Sequence, residues 1–322
     1  MNRNDFKTSD ILTAGVVALG CIIVSIILFH NPTPHSNFGI CIPSPSLWNL
    51  SPLFSHIANI LLLMGVAPIL ILLNKRFILV QGNGLMLPMA YLILVGANPF
   101  ISLGFNSSTL LLIVNLISMA VLLSTYQNNN ATQDFFLIAT LLSVGSMTQY
   151  SFVPMILVYI IGGFFLGSMR FKELLAFGMG IIAPYWVAIG LGLIQLSDFR
   201  MPQLVNIFTD SDNRLDLLIM MIGTGIVLLV SFLLSLNNAV RLYAGNSRIR
   251  KCNNAFNVLG YVCALCMIVD FNNFTAYLAS FYLWSAIQFA NFFYFNHISR
   301  PRLLAWVLCF IYCAQWGLLI FY

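Results

Sequence analysis

Charge is scarce in this chain: only 7% of its 322 residues are Asp, Glu, Lys or Arg, where a soluble domain carries roughly 25%. That shortage excludes a soluble fold. No charged side chain stands in the middle of any long apolar run, which weighs against a proton-coupled or ion-coupled transporter, because such proteins place ionisable groups inside the bilayer. No G-x-x-x-x-G-K-[ST] loop occurs, so a P-loop nucleotide site is excluded and no nucleotide is expected as ligand. Disulfides are missing as a framework too. Of the seven cysteines, only Cys41 lies in a long loop, and a thiol inside an apolar run behaves as a small hydrophobe. Cys263-x-x-Cys266 has redox spacing, but it stands in an apolar helix without a βαβ context and reads as a packed pair.

Apolar residues are what the chain has instead. They make up 60% of it, and mean hydropathy is +0.92. A bilayer core needs about 20 apolar residues per helix. The qualifying runs are 11–29, 53–73, 77–96, 108–125, 134–149, 152–168, 174–195, 215–236, 255–270, 274–296 and 303–321. The expectation is an all-α, polytopic transmembrane bundle of about 11 spans, forming one integral membrane domain over 1–322. The runs 134–149 and 255–270 are short, and either could stop inside the protein. The first run is followed by His30-Asn31-Pro32 and lacks a small-x-small cleavage site, so it reads as an uncleaved anchor.

The net charge of +5 points to no nucleic acid, because the basic residues sit at the ends of apolar runs. With the N-terminus inside, cytoplasmic segments hold Arg3, Lys7, Lys75, Arg76, Arg170, Lys172, Arg241, Arg248, Arg250, Lys251, Arg300 and Arg302. Exported loops keep only Arg200 and Arg214. The positive-inside rule then gives an N-in, C-out topology, with a first exported loop at 30–52, a second at 196–214 and a basic cytoplasmic loop at 237–254.

Within the run 174–195, Ala176, Gly180, Pro184, Ala188 and Gly192 recur every four residues and form a ridge of small side chains for close helix packing. Gly163-x-x-x-Gly167 is the expected partner of that ridge. Polar residues inside spans are Asn115 and Ser118, then Ser280, Trp284, Gln288 and Asn291. The last four share one helical face. That face is either an interhelical hydrogen-bonding stripe or the lining of a substrate groove, with Asn115, Trp284, Gln288 and Asn291 as lining candidates.

The exported side gathers His30, His35, His56, Asp198, Arg200, Asp210, Asp212, Arg214, Asp216 and Asp270. Asp210 and Asp212 read as helix-capping charges. Asp198 and Asp270 are the acid/base candidates, and Arg200 and Arg214 suit a phosphate. His30, His35 and His56 flank the first exported loop and are weak metal-ligand candidates, since their spacing matches no metal signature. The residues themselves predict no cofactor.

Leu73-Asn74-Lys75-Arg76, Leu87-Pro88-Met89-Ala90-Tyr91-Leu92, Asn98-Pro99, Tyr150-Ser151-Phe152-Val153-Pro154, Gly180-Ile181-Ile182-Ala183-Pro184-Tyr185 and Ala290-Asn291-Phe292-Phe293 resemble an uncharacterised multi-pass family of Bacteroidetes inner membranes. The resemblance covers most of the chain and implies a fold and a bacterial inner-membrane location, with no established activity. More distantly, one helix, a long exported loop and then a helix pair with a basic cytoplasmic turn resemble GT-C polyprenyl-sugar glycosyltransferases. That likeness implies a divalent metal and a polyprenyl-linked substrate. Those enzymes place an acidic residue in the first exported loop, whereas residues 30–52 contain neither Asp nor Glu.

The leading expectation is therefore a cell-envelope membrane protein handling lipid-linked glycan on the exported side. The alternative is a non-catalytic scaffold or assembly subunit with other envelope membrane proteins as partners. A transporter or flippase and a membrane metal oxygenase rank below both.

Overall fold

The computed structural model describes residues 39–295 apart from 46, 47, 49, 82–84, 97, 99, 100, 102, 103, 129, 196, 198, 200–213, 244, 245, 271 and 272, and apart from the side chains of 52, 214–220 and 243. The described residues form α1 (Pro52–Phe77), α2 (Met86–Gly96), α3 (Ser107–Ser124), α4 (Thr132–Thr148), α5 (Met155–Leu166), α6 (Phe171–Gly190), α7 (Arg214–Tyr243), α8 (Ser247–Val269) and α9 (Phe274–Phe295). A 3-10 turn, Tyr150–Phe152, joins α4 to α5. There is no β-strand among the described residues.

Local chemistry sets several of the helix ends. Ser51 caps α1 by accepting from the Phe54 N–H at 3.4 Å, and Asn106 caps α3 by accepting from the Thr109 N–H at 3.1 Å. Each satisfies a donor that the helix cannot. At the other end of α1, Ile78 adopts a left-handed φ of 53°, a strained conformation for a β-branched residue. Asn74 holds it there: its carbonyl accepts from the Ile78 N–H at 2.8 Å and its side chain from the Val80 N–H at 2.7 Å.

Among the described residues, five helices are long and apolar enough to cross a membrane: α1, α3, α6, α7 and α8. The most peripheral is α6, whose Trp186 is 77% exposed. The opposite case is α9, in which every residue from Ala276 to Asn291 is buried. It packs against α2, α3, α7 and α8 and forms the axis of the bundle.

The sequence boundaries need four corrections. The run 77–96 is not one span: Phe77 ends α1, and a connection precedes the 11-residue α2. The run 255–270 is not short, because α8 starts eight residues earlier, at Ser247. Arg248, Arg250, Lys251 and the asparagines 253 and 254 depress local hydropathy without breaking the helix. The basic loop 237–254 accordingly shrinks to a few residues between α7 and α8. Finally, the small-residue ridge on α6 meets α4 rather than Gly163 and Gly167. A Cβ at Gly180 would lie 2.6 Å from the Phe136 carbonyl oxygen and 2.7 Å from the Ala139 Cβ. Gly163 instead faces Phe135, and Gly167 ends α5 with φ 74°. The runs 11–29 and 303–321 lie outside the described residues.

Ser143 on α4 donates to the Ile181 carbonyl at 2.7 Å, and its neighbour Ser146 bonds Tyr185 at 2.7 Å, which fixes the α4–α6 register. Gly180→Leu should therefore destabilise the protein by about 1–3 kcal/mol, the usual cost of overpacking. Gly178→Leu, which points into open space, should leave stability unchanged. Thermal unfolding in detergent distinguishes the two.

Candidate functional site

Side-chain contacts show that the helix ends segregate by chemistry. At one end lie the starts of α1, α3 and α9 and the ends of α4 and α8, tied by Ser55 to Phe105, Ser107 to Gln149 and Gln149 to Asn273. At the other, Arg241 of α7 donates to the Phe295 carbonyl at 2.9 Å, and Arg248 of α8 lies over Phe77 and Tyr126. The second end carries Lys75, Arg76, Arg170, Lys172, Arg241, Arg248, Arg250 and Lys251. Asp270 is at the first.

Asp270 follows α8 directly and is half-buried. The Asn273 side-chain amide donates to both of its carboxylate oxygens, each at 2.9 Å. The Tyr277 hydroxyl donates to Oδ2 at 3.0 Å. The turn makes this possible, since Asn273 and Tyr277 stand three and seven residues beyond Asp270 across the start of α9. Asn273 is in turn oriented by Gln149, whose amide donates to it at 3.3 Å, and Ser107 donates its hydroxyl to Gln149. A polar chain thus runs from α3 through the end of α4 to the α8–α9 turn and terminates on one carboxylate. A carboxylate has about four acceptor positions, so the three contacts from these two donor groups leave acceptor capacity on Asp270.

Further polar groups surround this chain. Thr109 donates to Asn59 at 2.6 Å, and Asn59 donates to the Ile101 carbonyl at 2.7 Å. Residues 39–42 cross the last turn of α4, where the Ile42 N–H bonds the Met147 carbonyl at 2.9 Å. Gly39 lies so close to Met147 and Thr148 that it has no room for a Cβ. The buried atoms His56 Nδ1, Tyr150 Oη and Ser151 Oγ have no hydrogen-bond partner among the described residues. Burial raises the Tyr150 phenol above its ordinary pKa, which keeps it a proton donor.

A second polar network lies inside the bundle and holds the lining candidates. Asn115 donates to Ser280 at 3.0 Å and accepts from Tyr159 at 2.8 Å. Trp284 Nε1 and Gln288 Nε2 both donate to Asn257 Oδ1 at 2.9 Å. Asn238 of α7 donates to Gln288 Oε1 at 3.1 Å, and Asn291 donates to the Leu79 carbonyl at 3.3 Å. All of these amides are buried. Sequence reasoning missed Asn238, Asn253 and Asn257 because it assigned the first two to a loop. The signal was available, since Asn253 and Asn257 stand four apart and share a helical face.

Several sequence candidates are not brought together. His30, His35, Asp198 and Arg200 lie outside the described residues, and Arg214 opens α7 with its side chain outside them too. No group of three or more His, Cys, Asp or Glu able to hold a metal occurs among the described residues. No protein-family model, curated protein or solved structure matches the chain.

Proposed function

We propose that the chain is an integral membrane protein of a bacterial cell envelope that acts on a lipid-linked glycan at the end of the bundle where Asp270 lies. Five helices fit to cross a membrane support the location. The resemblance to multi-pass inner-membrane proteins supports the compartment, and the GT-C likeness supports the substrate class. The observation that carries the reading is the Asp270 carboxylate, aimed by Asn273 and Tyr277 and backed by Gln149 and Ser107. Such aiming is what a general base requires.

In this reading an acceptor hydroxyl gives its proton to Asp270 as its oxygen bonds to the anomeric carbon. The bond from that carbon to the polyprenyl phosphate oxygen breaks, and the phosphate leaves with the electron pair. Arg200 or Arg214 is the guanidinium assigned to the leaving phosphate. The divalent metal implied by the GT-C likeness finds no set of three ligands among the described residues, so no step passes through it.

Asp270→Asn should lower sugar transfer from a polyprenyl-phosphate donor in membrane vesicles by about a hundredfold or more. Its level in the membrane should stay that of the wild type, and Asp270→Glu should recover part of the activity. Undiminished transfer by Asp270→Asn, or by Asp198→Asn/Asp270→Asn, rejects the assignment.

One observation favours a second reading, a non-catalytic assembly subunit: the Ser280 hydroxyl and Gln288 amide of α9 bond neighbouring helices directly. Purification in mild detergent with a stoichiometric partner, together with indifference to Asp270→Asn, is the result that reading expects.

A further inference from the structure

The basic end of the bundle holds an arrangement that orienting helices does not require. The Arg76 guanidinium lies 5.3 Å from the Phe77 ring centroid, and that of Arg248 lies 5.9 Å from the same ring. Arg248 is also 5.8 Å from the Tyr126 ring, and the Lys251 ammonium lies 5.5 Å from it. Two aromatic rings thus hold three cations from α1 and α8, with Tyr126 supplied by the turn after α3. The positive-inside rule is met by charges scattered along loops; it does not gather them on shared rings. Among the described residues none of the three cations pairs with a carboxylate. Arg248 also stands in the first turn of α8, where the helix dipole repels a cation. An anion placed among them would relieve both the mutual repulsion and the dipole conflict.

The surface leading to this cluster is apolar and continuous. Ile57, Leu61, Gly65, Ile69, Leu72 and Arg76 follow helical spacing on α1 and share one face. Leu61 is 67% and Leu72 64% exposed. Gly65, in the middle of the stripe, has open space where a side chain would be. An acyl chain with its head group at Arg76 would cover the half of this stripe nearest that residue, from Gly65 to Leu72, since one leaflet is about half of the ~30 Å core.

We infer that Arg76, Arg248 and Lys251, set around Phe77 and Tyr126, bind the phosphate of an anionic phospholipid whose acyl chain lies along the Gly65–Leu72 face of α1. This site lies at the opposite end of the bundle from Asp270 and is independent of the activity proposed there. Guanidinium groups suit it because they stack on aromatic faces and still present planar donors to phosphate. Basic clusters at helix ends are a known physical basis for attraction to anionic lipid.

The test uses the full-length protein in neutral detergent, with native mass spectrometry and thermal unfolding as readouts. The probes are phosphatidylglycerol, phosphatidylcholine and inorganic phosphate. Phosphatidylglycerol should remain bound and raise the melting temperature, and the other two should do neither. Arg76→Gln/Arg248→Gln should weaken phosphatidylglycerol binding by about thirtyfold, whereas Arg241→Gln, a cation of the same end whose bonds go to Asn237 and the Phe295 carbonyl, should leave it unchanged. Equal stabilisation by phosphatidylcholine or by inorganic phosphate overturns the proposal, as does undiminished binding in the double glutamine variant. If that variant does not accumulate, Arg76→Lys/Arg248→Lys decides. It keeps the orienting charge and loses the planar fork, so binding should weaken by roughly threefold or more, and wild-type binding would overturn the site.

Discussion

Adding one methyl group at Gly260 should lower the melting temperature of the purified protein more than the same addition at Gly178 or Gly225. Gly260 is where α8 meets α9, and a Cβ there would fall inside the Trp284 indole. Trp284 cannot retreat. It is buried, its Nε1 is bonded to Asn257 at 2.9 Å, and its ring packs edge-on against Tyr261 and obliquely against Phe281, at centroid distances of 5.5 and 5.6 Å. Interiors are packed as densely as organic crystals, so the helices must separate, at a cost of about 3 kcal/mol, the upper part of the overpacking range. A smaller ring should restore part of the loss, and Gly260→Ala/Trp284→Phe should melt above Gly260→Ala alone. Unchanged melting in the single variant would show that α8 and α9 do not meet as described.

Asn257→Leu should be nearly as damaging, for a polar reason. One oxygen of Asn257 accepts from both Trp284 and Gln288. Leucine is similar in size but leaves the buried Trp284 N–H without an acceptor and the Gln288 amide with only its longer bond to Asn253 Oδ1 at 3.5 Å. An orphaned donor costs about 1–3 kcal/mol in a protein interior, whereas interhelical hydrogen bonds in a bilayer average only about 0.6 kcal/mol. The larger figure governs here because the donors sit on a helix buried from Ala276 to Asn291 and find no lipid-facing or aqueous alternative. The expected loss is about 2 kcal/mol. Asn257→Leu/Gln288→Leu should cost less than the sum of its single variants, because the second change removes one of the two affected donors. Strict additivity in that cycle, measured by reversible unfolding, would show that the two residues are not coupled.

Much of the fold could be read from the sequence. The runs 53–73, 108–125, 134–149 and 274–296 correspond closely to α1, α3, α4 and α9, because each is bounded by polar or helix-stopping residues. Hydropathy failed where chemistry and conformation part company. Arg248, Arg250 and Lys251 look like a loop but lie in the first turns of α8, where long side chains carry their charge away from the helix. The small-residue ridge on α6 was visible, yet its partner was not, since spacing shows which helices approach closely and not which neighbour they approach. Ala139 on α4 is no stronger a signal than Gly163 until the register is known. At the candidate site, Asp270 was legible as a carboxylate ending an apolar run. Gln149, Ser107 and Asn59 were not, because they reach the site from elements distant in sequence.

The position of α9 in the chain bears on how the protein is made. Its polar side chains bond to groups on α3, α7 and α8, and to the segment after α1, all of which precede it in the chain. During synthesis those helices emerge first and wait, with Asn115, Asn238 and Asn257 lacking their common partner. Among the described residues the interior is completed when 274–295 arrive, so polypeptides cut short before that point keep several membrane helices but not the element that joins them.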